Sequence, residues 1–179
     1  MSEKSNTPFL SVKDLVVEYT SDGQRIQAVN GVSFDLEKGK TLGLVGETGA
    51  GKTTTAMAIL GLLPERTGHV TGGKVEYEGQ DLLQLNDKQM EKIRGQKIAM
   101  IFQDPMTALN PVVRVGDQIR EALYLHNTEN LSKDELDKEV EKTLELVGIP
   151  KTRKNEYPYQ FSGGMKQRVV IAMALICHP

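Results

Sequence analysis

Residues 46–53 read GETGAGKT. Gly46, Gly51, Lys52 and Thr53 fill every fixed position of the pattern G-x-x-x-x-G-K-[ST]. An apolar run, TLGLVG, leads into it, and a helix-forming run, TTTAMAILGLL, leaves from Lys52 and stops near Gly61 to Pro64. A buried strand, a glycine-rich loop and a helix in that order confine the chain to an α/β arrangement. Glycines let successive backbone N–H groups turn inward around phosphate oxygens, and the helix start adds partial positive charge. Lys52 is expected at the β- and γ-phosphates of a nucleotide and the Thr53 hydroxyl on Mg²⁺, with Glu47, Thr48, Gly49, Ala50 and Thr54 completing the cofactor-binding stretch. A chance match in a chain of this size is on the order of one in a hundred or rarer.

Ahead of the loop, FLSVKDLVVEYT is rich in β-branched and aromatic residues and reads as strand, with turn chemistry in SDGQ. IQAVNGVSFDLEKGK reads as two short strands about Asn30-Gly31, with a turn at Lys38-Gly39. TLGLVG and KIAMIFQDP read as short buried strands, and GGKVEYEGQDLLQL alternates as a strand does. From Met106 to Gln160 the pattern turns helical. VGDQIREAL sets Val115, Ile119, Ala122 and Leu123 on one face, and Ser132 to Glu135 forms a capping box. Leu136, Val140, Leu144 and Val147 line the helix that follows, which Gly148 and Pro150 close. Three segments result: residues 1–105 are β-rich and mixed, 106–160 are helical, and 161–179 carry a last helix.

Composition limits the partners. With 22 basic and 24 acidic residues the net charge is −2, which supplies no broad positive field for nucleic acid. The one cysteine, Cys177, cannot make an internal disulfide and reads as a small buried hydrophobe. VVIAMALIC is far shorter than the ~20 residues that span a bilayer, and MSEKSNTPFLS holds no signal-peptide run.

FSGGMKQR, residues 161–168, repeats the physics of the first loop. Ser162 suits an N-cap, and Gly163 and Gly164 leave backbone amides uncovered. Lys166 and Arg168 bring positive charge, while Met165, Val169, Ala172, Met173 and Ile176 form the apolar side of the helix. Taken alone, such a start is either an anion site or a purely structural cap. Taken in order, GETGAGKT, FQDP and FSGGMKQR resemble the nucleotide-binding domain of ABC transporters, and the resemblance covers nearly the whole chain. FSGGM is similar to the signature usually written LSGGQ, departing at Phe161 and Met165. Gln103 matches the Q-loop glutamine, and Tyr19 in VVEYT matches the aromatic position that stacks on adenine. As lone residues the two read equally as a loop glutamine and a packing tyrosine. FQDPMTALNP, YPYQFSGGM and KQRVVIAMAL look closest to the oligopeptide, dipeptide and nickel importer branch.

The resemblance implies a fold and a role. The fold is α/β, a RecA-like P-loop NTPase core with an N-terminal antiparallel β subdomain and an α-helical insert. Two such domains pair head to tail, so that Ser162, Gly163 and Gly164 serve the ATP held by the other domain. Gln103 contacts Mg²⁺ or the attacking water, and its loop signals to integral membrane permease subunits, with a solute-binding protein acting indirectly. In the family, a strand ending in the Walker B aspartate, a catalytic glutamate and a switch histidine follow the signature helix. None is found up to Pro179, so the core sheet is expected to be incomplete and the 179 residues to be an inactive fragment of a longer ATPase. His69, His126 and His178 match no motif of the family. The implied function is the ATP-binding subunit of an importer of peptides or a related small solute, peripheral at the cytoplasmic face of the membrane. A soluble ABC ATPase without a transporter, and a binding-only regulatory module, are the rival readings.

Overall fold

FLSVKDLVVEYT forms most of a long strand, β1 (Leu10–Ser21). It pairs antiparallel with β2 (Gln24–Leu36) on one side and β3 (Gly68–Tyr77) on the other. The short β4 (Gln80–Asp81) completes a sheet of order β2-β1-β3-β4. The computed structural model describes residues 8–21, 23–127 and 130–179, and the chain divides into two compact units, Met1–Met90 and Glu91–Pro179. Asp22 of the SDGQ turn and most of MSEKSNTPFLS lie outside the described residues.

Bulges set the register of the sheet. Val12 and Leu15 are both buried although three positions apart, because the pairing shifts between them and leaves Lys13 and Asp14 exposed. Val17, Val29, Val75 and Tyr77 are buried with them, and Phe9 meets Tyr77 edge to face at 5.0 Å. The expected turn at Asn30-Gly31 is not one. Leu15 opposes Val32 and Val16 opposes Asn30, so Gly31 is the extra residue of a bulge within one continuous strand, at a φ of 67° that glycine tolerates. The alternation in GGKVEYEGQDLLQL ends sooner than expected. After Glu78-Gly79 and β4, Leu82–Gln84 is a 3₁₀ turn capped by Asp81.

Two runs expected as buried strands are not strands. Residues 40–47 have no regular structure, and Leu42, Leu44 and Val45 are exposed, Val45 to 93 %. KIAMIFQDP keeps a single bridge, Ile98 to Arg94, and leaves Ile101 and Phe102 each 48 % exposed. An apolar run becomes a strand only when a neighbour pairs with its backbone groups. Among the described residues neither run enters a sheet, and the strands that do pair are all antiparallel.

Beyond α1 (Lys52–Ile59) of the first unit and α2 (Asp87–Glu91), the second unit is helical. It holds α3 (Pro105–Ala108), α4 (Val115–Leu125), α5 (Lys133–Leu146) and α6 (Gly163–Leu175), with 3₁₀ turns at Lys151–Asn155 and Pro158–Gln160. Val115, Ile119, Val140, Leu144, Ile149, Phe161, Val169 and Ile176 form its core. Their spacing on α4, α5 and α6 is the helical periodicity that the sequence displays. The capping box closes as expected: the Ser132 N–H donates to the Glu135 carboxylate at 2.8 Å, and the Glu135 N–H donates to Ser132 Oγ at 3.4 Å. The Ser132 hydroxyl, donating to the Glu135 carboxylate at 2.6 Å, and then the Ser132 N–H hold that carboxyl below its ordinary pKa, so their contribution is present above that pKa and is lost as pH falls through the lowered value. Ser132→Ala is expected to lower the melting temperature by about 2–4 °C, read by circular dichroism. An unchanged melting curve would show that the cap is dispensable.

Candidate nucleotide site

The GETGAGKT loop leads into α1, whose N-cap is Gly51. No side chain caps this helix, and no acidic residue stands in its first turn. The first N–H groups of any helix lack partners within it, so an uncapped start offers donors and partial positive charge to an anion. The loop shape is held from several sides. The Ala50 N–H donates to the Glu47 carbonyl at 3.1 Å. Gly51 is buried at φ 80°, and a Cβ there would lie 2.3 Å from the Ala28 carbonyl oxygen of β2. Thr55 returns both its N–H and its hydroxyl to the Gly51 carbonyl, at 2.8 and 2.9 Å. No motif position marks Thr55. Its signal was a threonine four residues after the glycine, where a helical hydroxyl can bond back to the carbonyl.

Lys52 spans the loop. Its ammonium donates to the carbonyls of Gly46 at 2.7 Å and Glu47 at 2.6 Å. An ammonium carries three donors, and an anionic phosphate oxygen is a stronger acceptor than a carbonyl. The cation is therefore stationed where phosphate would compete for it. Glu47, Thr48, Gly49, Ala50 and Thr53 are exposed, and Thr54 is half-buried. The loop residues thus come together around one cation and one bare helix start, a set of groups that fits a nucleotide triphosphate. Among the described residues no group of three or more His, Cys, Asp or Glu could hold a metal ion, so Mg²⁺ would depend on Thr53 and on phosphate oxygens. Tyr19 lies in β1 of the same unit, between Ile26 and Gly68 in register. Its ring edge covers Gly68, 2.9 Å from where a Cβ would stand.

Gln103 and the serine–glycine stretch belong to the other unit. Gln103 is exposed in the irregular segment just before α3. Ser162 caps α6, its Oγ accepting from the Met165 N–H at 3.4 Å. Gly163 and Gly164 have ordinary helical φ, and nothing lies within 4 Å of where their Cβ atoms would be. Arg168 turns away from the helix start and donates to the Gly148 carbonyl at 2.9 Å, closing the end of α5. Cys177 is half-buried, donates to the Ala122 carbonyl at 3.5 Å, and has its thiol pKa pushed up by burial, so it is protonated and unreactive at neutral pH.

The ABC_tran family, described as "ABC transporter", matches residues 29–179. The chain belongs to the ABC transporter family. Among curated ABC proteins, it is 55 % identical over 172 residues to the dipeptide transport ATP-binding protein DppD of Bacillus subtilis, covering 95 % of this chain and 51 % of that one. The oligopeptide transport ATP-binding protein OppD of the same organism is 50 % identical over 175 residues, covering 97 % and 48 %. The chain spans about half the length of the curated relatives it matches. A solved dimeric ABC cassette, MJ0796 bound to ADP and Pi in a post-hydrolysis state, superposes with a TM-score of 0.83 at 27 % identity, over 95 % of this chain and 70 % of that one. The fold is therefore that of a P-loop ABC ATPase cassette.

Proposed function

We propose that this chain carries the nucleotide-binding portion of an ABC importer's ATP-binding subunit, one that powers uptake of peptides or a related small solute. The observation that carries the reading is Lys52, drawn across an uncapped helix start within GETGAGKT. The names of the DppD and OppD relatives support the solute class. Lys52 and the amides of Gly46 to Thr54 bind the phosphates, Tyr19 faces the adenine, and Thr53 offers its hydroxyl to Mg²⁺, which supplies charge neutralisation when bound. Gln103 takes the role of contacting Mg²⁺ or orienting the attacking water. Ser162, Gly163 and Gly164 present their amides to ATP held by a second cassette. Two glycines in a first helical turn cost about 1 kcal/mol each against alanine. Among the described residues no neighbour within 4 Å requires them, so close approach from outside is the remaining use. Residues 1–179 alone are proposed to bind nucleotide with little turnover.

Among the described residues no helix is long and apolar enough to cross a membrane, so the proposed place at the cytoplasmic face depends on permease subunits. Lys52→Ala tests the site. Loss of one charge-assisted contact set is expected to weaken ATP binding about 10- to 100-fold by calorimetry, with the melting temperature unchanged. Equal affinity in the variant would refute the site. Co-purification with membrane subunits tests the role, and their consistent absence would favour a soluble ATPase.

A further inference from the structure

Arg153 gathers both flanks of the Ser162-Gly163-Gly164 stretch. Before it, Arg153 Nη2 donates to the Gln160 carbonyl at 3.0 Å, and the guanidinium carbon stands 4.5 Å from the centre of the Phe161 ring. After it, Nη1 donates to Met165 Sδ at 3.2 Å. Glu156 orients the guanidinium, its Oε2 accepting from Nε at 2.9 Å and from Nη2 at 2.6 Å. The Glu156 carbonyl in turn accepts the Val115 N–H at 2.9 Å, which ties the assembly to the start of α4 and the buried core. Arg153 retains only 27 % exposure, and Phe161 is buried beneath it.

The stretch needs such outside support. The Ser162 cap bond is long at 3.4 Å, and Gly163 and Gly164 bring no packing and little helix propensity. A planar guanidinium can stack on a ring while its separate N–H groups reach a carbonyl, a carboxylate and a sulfur; a lysine ammonium cannot do all of these at once. Phe161 and Met165, the two departures from the usual signature, are the side chains that supply the ring and the sulfur.

We propose that Arg153 is a positioning residue that fixes the amide nest of Ser162, Gly163 and Gly164 by clamping Gln160, Phe161 and Met165. Its functional meaning rests on the reading of that nest as a contact for a second cassette's ATP. The order of the nest is itself measurable without any partner. Amide hydrogen exchange of the full chain is compared in wild type, Arg153→Gln and Arg153→Lys. Exchange at Met165 and Lys166, whose N–H groups donate to the Ser162 hydroxyl and carbonyl, is expected to rise about tenfold in both variants, the equivalent of roughly one charge-assisted hydrogen bond, while Val169 to Ala172 stay protected. Met165→Gln alone should loosen the same amides, and in the Arg153→Gln background it should add nothing further. Unchanged exchange at Met165 and Lys166 overturns the proposal. So does an equal rise along all of α6, which would mark a merely structural arginine. If Arg153→Gln unfolds the helical unit, Arg153→Lys decides by the same comparison. ATP affinity at the Lys52 loop should not change in any of these variants. Retained affinity in Lys52→Ala would sink the nucleotide reading and leave the exchange data to judge Arg153.

Discussion

Gly51→Ala is expected to weaken ATP binding by about a hundredfold or more, beyond the loss from removing the Lys52 ammonium. Two costs combine. An L-residue held at φ 80° carries roughly 1–2 kcal/mol of steric strain. The added methyl carbon would also stand 2.3 Å from the Ala28 carbonyl oxygen and 3.2 Å from Val29 Cγ2. Neither neighbour can retreat easily: Ala28 is the bulge residue held between Val29 and Gln27, which oppose Val17 and Glu18 of β1, and Val29 is buried. The loop must give way instead. It then loses the register that brings the Gly46 and Glu47 carbonyls to Lys52, and the seat that Thr55 makes on the Gly51 carbonyl. Calorimetric titration with ATP reads the effect directly. Affinity within about threefold of wild type would mean that the loop accommodates a side chain there, and that its observed shape is not the binding shape.

The loop was legible in the residues because its chemistry is local. A left-handed glycine, a cation one residue later and a bare helix start all fall within a few positions, and backbone geometry leaves few substitutes. The Ser132 and Ser162 caps and the apolar faces of α4, α5 and α6 were legible for the same reason. TLGLVG was not, because being a strand is a property of neighbours: the same apolar run is a buried strand when paired and an exposed segment when unpaired. Asn30-Gly31 carries a turn signal as strong as any hairpin, yet a positive φ serves a bulge equally well, and the long pairing with β1 decides between them. Arg153 was hidden most completely. KTRKNE reads as a solvated charge run, and only the folded chain brings Phe161 and Met165 to the guanidinium.

Leu144→Ala is expected to destabilise the helical unit by about 2–5 kcal/mol. Leu144 has no exposed surface and shares its cluster with Ile119, Val140, Ile149 and Val169, so truncation leaves a void walled by three helices. Collapse into that void is opposed on each side: α4 is anchored through Val115 to the Glu156 carbonyl, and α5 is capped by Ser132 and closed at Gly148 by Arg168. The cost should therefore fall in the upper part of the range. A small domain commonly has only about 5–15 kcal/mol of stability, so this one change removes a large share of it. Leu146, two positions along the same helix and 73 % exposed, provides the control, since its replacement by alanine should leave stability nearly unchanged. The chain has no tryptophan, so urea unfolding is best followed by far-ultraviolet circular dichroism. Equal midpoints for the two variants would contradict the placement of Leu144 at the centre of this core. The functional corollary concerns α6, whose Val169 and Ile176 rest on the same cluster: loosening that core should release the Ser162 end of the helix even though no residue near the glycines has changed.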